Sequence, residues 1–268
     1  MNERNVIVSG ASILSDDAWP TWKDLLQKTY KLKNLHNVSV KGAGNELIIL
    51  NAINKAINIE NPLILIQLTN VDKWDWYIED AELIKQINKE KHPIAKLRKD
   101  EQHGYWSTGS HFPKWKKYYF DNYFSIEHSM FSTLLNIQYF QQICNKNLWQ
   151  YQIFFDSPIF SVKESQLNTG KLVNEDFEKP ILIENTLCNT LFSSIDITNI
   201  YTPGLIGHAC LNGIEWFSTK YKNHPGSLAH YFFMKDIVEP CISNILKLEQ
   251  PVENFYEESV KFQNLVTE

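Results

Sequence analysis

Short apolar runs alternating with longer amphipathic stretches set the organisation of the chain. "NVIVSG" (5–10), "NVSVKG" (37–42), "PLILIQLT" (62–69) and "YQIFFD" (151–156) read as strands, and the third is continuous enough to lie buried on both faces. Between the first two, "WPTWKDLLQKTYKL" puts Trp22, Leu25, Leu26 and Tyr30 on one helical face, with Pro20 tolerated in the first turn. After the second, "NELIILNAINKAINI" repeats the period with Leu47, Ile48, Ala52, Ile53 and Ala56, and Asn45 is the expected N-cap. Strand, helix, strand, helix, strand predicts an α/β fold: three α/β/α layers around a doubly wound, flavodoxin-like parallel sheet.

The pattern breaks in the middle. Residues 72–120 hold "VDKWDWYIED", the charged "NKEKHPIAKLRKDEQ" and the aromatic "HGYWSTGSHFPKWKKYYF" without clean periodicity, and read as a helical, aromatic insertion or lid in a single domain spanning 1–268. A long helix with Ile126, Met130, Leu134, Ile137 and Phe140 on one face then leads into the fourth strand. Residues 157–215 give no clear element, and the last recognisable one is the helix after "NHPGSLAHYFFMKDIVEP".

Composition narrows the function classes. A chain of 268 residues with 43% hydrophobic content can bury a large core. Net charge −5 and a pI near 5.9 argue against nucleic acid or an anionic membrane as partner. Only Arg4 and Arg98 are arginines, which weakens any mechanism built on bidentate phosphate clamping. Cys144, Cys188, Cys210 and Cys241 form no CxxC and read as buried thiols, so neither a zinc site nor a disulfide framework is expected. No run approaches the ~20 apolar residues of a membrane span, and the amino-terminal segment lacks a signal-peptide pattern. The expectation is a soluble, cytoplasmic or virion-associated protein without a cofactor.

In a parallel sheet, ligands bind at the carboxyl ends of the strands. Small motifs fall there: "GAS" (Gly10–Ser12) after the first strand, "GAGN" (Gly42–Asn45) after the second and "LTN" (Leu68–Asn70) after the third; "HP" (His224, Pro225) precedes the last long helix. Together they supply the parts of a serine acyl hydrolase. Ser12 at a helix start would be the nucleophile, its alkoxide favoured by the helix dipole, and His224 the base. The backbone amides of Ser12 and Gly44 and the side-chain amide of Asn70 would form the oxyanion hole, each donor worth roughly 3–4 kcal/mol by deletion. Ser15, one turn on, lies further from the strand end.

The order serine, glycine, asparagine, histidine resembles the four blocks of the SGNH (GDSL-type) hydrolases. "SGASILSDDAWPTWKDLL" is similar to the first block with Gly10-Ala11-Ser12 in place of Gly-Asp-Ser, "VKGAGNELI" to the second, "IQLTN" to the third and "NHPGSLAHYFFMKDIV" to the last. The resemblance implies an acyl-enzyme on Ser12 and an ester substrate, with carbohydrate O-acyl esters common in the family. It does not extend over 72–215. One departure stands out: where the family places an aspartate three residues before the histidine, this chain has Tyr221. Losing that acid can cost ~10⁴ in turnover, and Glu215 and Asp196 are the distant acids expected to replace it.

The aromatic middle bears on the substrate. Trp74, Trp76 and Trp106, with Tyr105 and Trp115, could line a surface for sugar rings, core or lid packing being the plainer use. His92, before a proline in the charged stretch, reads as solvent-facing, and His103, His111 and His128 show no HxH or HExxH spacing, so no metal site is expected. Three readings remain open: an esterase acting on a small-molecule or glycan ester, a sugar O-acyltransferase using the same acyl-enzyme, and a glycan-binding module that has lost turnover.

Overall fold

The computed structural model of the chain describes residues 3–11, 14, 20–71, 73, 75–78, 98–100, 104–108, 125–156, 186–201, 204–214 and 225–267. Strand β1 (Asn5–Ser9) is followed by helix α1 (Trp22–Tyr30), strand β2 (Asn34–Asn37), helix α2 (Asn45–Ala56) and strand β3 (Leu63–Leu68). Three short strands come next, β4 (Asp75–Ile78), β5 (Arg98–Asp100) and β6 (Gly104–Thr108), then the long helix α3 (Ile126–Lys146) and strand β7 (Gln150–Phe155). Helix α4 (Thr186–Ser194), the two-residue strand β8 (Ile200–Tyr201) and helices α5 (Gly204–Leu211), α6 (Ser227–Phe233), α7 (Glu239–Ile242) and α8 (Tyr256–Thr267) follow.

Five strands form one parallel sheet in the order β2-β1-β3-β7-β8. This is the flavodoxin-like doubly wound arrangement that the alternation of elements predicted. β3 is central, and all six of its residues are buried. Ile64, Ile66 and Leu68 join the core under α2 and α3, with Leu47, Ile48, Met130, Leu134, Ile137 and Phe140. Leu63 and Leu65 join the opposite core under α1 and α6, with Trp22, Leu25, Leu26, Phe154 and Phe233. A strand with no solvent face needs no polar alternation, which is why "LILIQL" reads as a continuous run.

Three expectations change. The second strand is Asn34–Asn37 rather than 37–42; beyond it the chain still follows β1, with Val38 N–H donating to Val8 C=O (2.8 Å) and Val40 N–H to Gly10 C=O (3.0 Å). β2 is an edge strand with one neighbour, so its polar "NLHN" carries little pattern. The described part of the insertion is not helical but a small antiparallel sheet in the order β4-β6-β5. A fifth strand, β8, escaped notice because two residues carry no periodicity. Beyond α6 the helix widens into a π turn at Met234–Val238 just before Pro240, whose ring cannot sit against the carbonyl four residues back.

Truncating the centre of the sheet should be costly. Leu65→Ala is expected to lose ~2–5 kcal/mol by urea unfolding. Leu148 is 86% exposed and holds a left-handed φ of 56°, so Leu148→Gly is expected to be neutral or to stabilise by up to ~1 kcal/mol in the same assay.

Candidate active site

The order β2-β1-β3 sets the carboxyl ends of these three strands side by side at one edge of the sheet. Gly44 ends the loop after β2 and is the N-cap of α2; Asn45, expected in that role, is the first helical residue. Its buried side chain has another use. The Asn45 Nδ2 donates to the Thr69 carbonyl (3.1 Å) and the Thr133 hydroxyl (3.2 Å), while Asn45 Oδ1 accepts from the Thr69 N–H (2.8 Å). One amide thus satisfies both main-chain groups of the residue after β3 and fixes the start of α2 against it. Asn70 comes next, exposed at this edge, and its carbonyl accepts from Lys73 N–H (3.2 Å) in a tight turn.

That turn brings Lys73 and Asp75 over Gly44. The Gly44 N–H donates to Asp75 Oδ1 (2.8 Å) and Leu47 N–H to Asp75 Oδ2 (2.9 Å), so a carboxylate from the insertion caps two orphan amides of a twelve-residue helix. A Cβ on Gly44 would meet Asp75 Oδ2 and the Lys73 carbonyl oxygen at 2.8 Å each. The close approach that requires glycine here is therefore made by the protein's own chain, and the amide assigned to an oxyanion already holds an anionic oxygen.

Asp75 is one of two titrating carboxyls at this edge that sequence reading missed. Burial pushes its carboxyl up to about 6, opposed by the Gly44 and Leu47 amides and Lys73, and reinforced by Glu46. The second is Asp156, directly after β7, whose N–H continues the ladder to Leu68 C=O (2.7 Å). Burial raises it to about 6 as well, with Lys73, Thr69 and Gln67 favouring the ionised form. Asp156 Oδ1 and Gln67 Nε2 nonetheless fall short of hydrogen-bonding geometry with any partner. On the same side of the sheet, the Trp22 indole donates to Gln67 Oε1, and Trp22 N–H reaches Nδ1 of buried His230 (3.4 Å). Asp156 was visible as the last letter of "YQIFFD"; an acid at the carboxyl end of a buried strand was the available signal.

Gly44 and Asn70 are thus brought to one edge. Ser12, His224, Glu215 and Trp74 lie outside the described residues, as do Ser15 and Tyr221. Trp76 stands opposite Ser107 and Trp106 opposite Tyr77 in the small sheet, at successive positions of the register, and their side chains are outside the described part. Asp196 is at the wrong end of the sheet to serve this edge. Its carboxylate takes the N–H (2.9 Å) and hydroxyl (2.6 Å) of Thr198 in the turn that enters β8, at the amino end of a parallel strand.

Another histidine has an acid partner but no nitrogen to spare. His208 Nε2 sits 3.1 Å from Asp236 Oδ2 and its Nδ1 3.3 Å from the Asn212 amide, between α5 and the π turn. Two cavities of about 510 and 490 Å³ open elsewhere, at the amino ends of the strands: one beside Asn5, Pro62 and Gln150, the other beside Gln152, Tyr201 and Cys241. Among the described residues, no three His, Cys, Asp or Glu side chains are grouped to hold a metal ion, and no helix is long and apolar enough to cross a membrane.

No family model matches the chain, and no curated protein does. Several solved structures are similar, among them the following two. A member of the lipolytic G-D-S-L family from Veillonella parvula shares 11% identity over 88% of this chain and 97% of its own, with a TM-score of 0.42. A GDSL-like lipase from Bacteroides thetaiotaomicron shares 12% identity over 91% of this chain and 89% of its own, with a TM-score of 0.39.

Two measurements check this edge. Asn45→Ala leaves the Thr69 N–H and C=O without their partners and is expected to cost ~1–3 kcal/mol by urea unfolding. Both raised carboxyls keep their protons to higher pH in the fold than in the unfolded chain, whose reference is 3.8. The stability they contribute is complete below about 3.8 and is lost as pH rises through about 6. Asp156→Asn removes one such loss, so its stability relative to wild type is expected to rise by ~1–3 kcal/mol between pH 4 and pH 8.

Proposed function

We propose that the protein is a serine ester hydrolase of the SGNH type, acting on a carbohydrate O-acyl ester. Ser12 is the nucleophile and His224 the base. The reading is carried by one observation: the strand order puts the carboxyl end of β1, after which the sequence has Ser12, between the carboxyl ends of β2 and β3, after which it has Gly44 and Asn70. In the reaction the Ser12 hydroxyl loses its proton to His224 as its oxygen bonds to the ester carbon. The carbonyl oxygen becomes an oxyanion, and collapse expels the alcohol with the proton returned by the base. Water then repeats the sequence on the acyl-enzyme.

The Asn70 side-chain amide and the Ser12 backbone N–H supply donors to the oxyanion. The Gly44 N–H joins them only when Asp75 releases it, since the carboxylate takes that hydrogen bond here. The carbohydrate part of the reading rests on aromatic sequence: Trp76, Tyr77, Tyr105 and Trp106 all belong to the small sheet, whose first residue Asp75 is tied to Gly44. Flat apolar rings of this kind suit the CH faces of a pyranose.

The test is turnover of p-nitrophenyl acetate and an acetylated sugar, with labelling by a fluorophosphonate probe. Ser12→Ala is expected to abolish labelling and lower kcat by at least ~10³-fold, and Asn70→Ala to lower it by ~10²–10³-fold. Equal labelling of wild type and Ser12→Ala would overturn the reading, and acyl transfer to a supplied glycan exceeding hydrolysis would reassign the enzyme as a transferase.

A further inference from the structure

The acid that normally orients a catalytic histidine is absent from the position before His224, where Tyr221 stands. An imidazolium formed during proton transfer is stabilised by a carboxylate or a carbonyl dipole beside it, and losing that group can cost ~10⁴ in turnover. Among the described residues, two buried carboxyls lie at the carboxyl edge of the sheet, while Glu215 is outside them. Asp75 has both oxygens committed, Oδ1 to the Gly44 amide and Oδ2 to the Leu47 amide. Asp156 is only 3% exposed and has an oxygen, Oδ1, with no hydrogen-bond partner. Asp196 is held at the opposite end of the sheet by Thr198.

The position of Asp156 is fixed rather tightly. Its N–H donates to Leu68 C=O, and its own C=O accepts from Ile206 N–H (2.8 Å) in α5. Gly204 permits that approach: with φ +80° and no side chain it starts α5 where a Cβ would lie 2.8 Å from the Phe155 carbonyl oxygen. Phe155 belongs to the core under α2 and α3 and Phe154 to the opposite core, so alternation points Asp156 to the α1 and α6 side. Gln67 is on that side too, bonded to the Trp22 indole. Helix α6, which begins three residues after His224, packs there: Phe233 lies 5.7 Å from Phe154, and His230 meets Trp22 N–H at the start of α1. A buried carboxyl lacking a partner for one oxygen is costly to keep, and such groups concentrate at functional sites.

We propose that Asp156 is the positioning acid of the hydrolase, its buried carboxylate balancing the positive charge that develops on the catalytic base. The inference rests on the serine hydrolase reading above. The serine O–H bond breaks, its proton goes to the imidazole, and the new bond forms between the serine oxygen and the ester carbon. Asp156 stays ionised throughout and takes no proton. It orients the base and stabilises the imidazolium without touching the substrate.

Asp156→Asn keeps the shape and removes the charge. The expected result is a kcat for p-nitrophenyl acetate lower by at least ~10²-fold, with KM within about threefold of wild type, in a protein that unfolds in urea no earlier than wild type at pH 8. The rate of fluorophosphonate labelling at Ser12 falls in parallel. A purely structural role would instead lower the urea midpoint or raise KM along with the loss. Asp156→Ser, which leaves room for water, is the second variant, and the same split between kcat and KM is required of it. Wild-type kcat in either folded variant overturns the proposal, as does failure of both variants to fold. If the wild type shows no turnover dependent on Ser12, the hydrolase reading itself fails. If wild type is active and Asp156→Asn equally so, only the assignment of Asp156 fails.

Discussion

The main-chain pairing of β3 is the constraint around which the molecule is arranged. Its six residues have no solvent face, so each N–H and C=O must be satisfied by β1 on one side and β7 on the other. Where β3 ends the ladder cannot simply stop, because Thr69 is still buried. The side chain of Asn45 takes over, giving Thr69 a donor and an acceptor and tying α2 to the sheet at the same time. Asp156 is paired by the same logic: its N–H continues to Leu68 and its C=O is met by α5. At Thr69 and Asp156 the main chain of the carboxyl edge is thus fully paired.

The burial at this edge has an electrostatic consequence. Two carboxyls are held in places where burial disfavours their charge, and Lys73 stands near both as the cation that favours ionisation. For Asp75 the cost is offset by two helix N-terminal amides, which are natural anion donors. For Asp156 the compensation is thinner, since one oxygen finds no partner. The two acids therefore differ. Asp75 anchors the small antiparallel sheet against Gly44 and keeps the helix start occupied; Asp156 keeps a buried oxygen, Oδ1, without a hydrogen-bond partner beside Lys73, Thr69 and Gln67.

Much of the fold was legible in the chain. The apolar run 62–69 read as a strand buried on both faces and is one, and the helical faces of Trp22, Leu25, Leu26 and Tyr30 and of Leu47, Ile48, Ala52, Ile53 and Ala56 are all buried. Long elements with a continuous core contact impose a period that survives in the sequence. The exceptions are short or one-sided. β8 has two residues, and β2 has one neighbour and no buried residue. Asn45 misled because an asparagine before an apolar period looks like a cap, whereas its amide is consumed by Thr69 and the capping falls to Asp75, 30 residues on.

The candidate site divides in the same way. Sequence order alone determined that a serine, a glycine and an asparagine follow three successive strands, and a parallel sheet returns every strand to the same edge; which of those strand ends are neighbours is set by the order β2-β1-β3. What only the tertiary structure decided is how that edge is filled: that the Gly44 amide faces Asp75, that Asp196 belongs to the far end of β8, and that Asp156 is buried with an oxygen to spare. Those facts depend on residues far apart in the chain being forced together by packing. Local pattern carries no record of which distant carboxylate packing will leave without a partner.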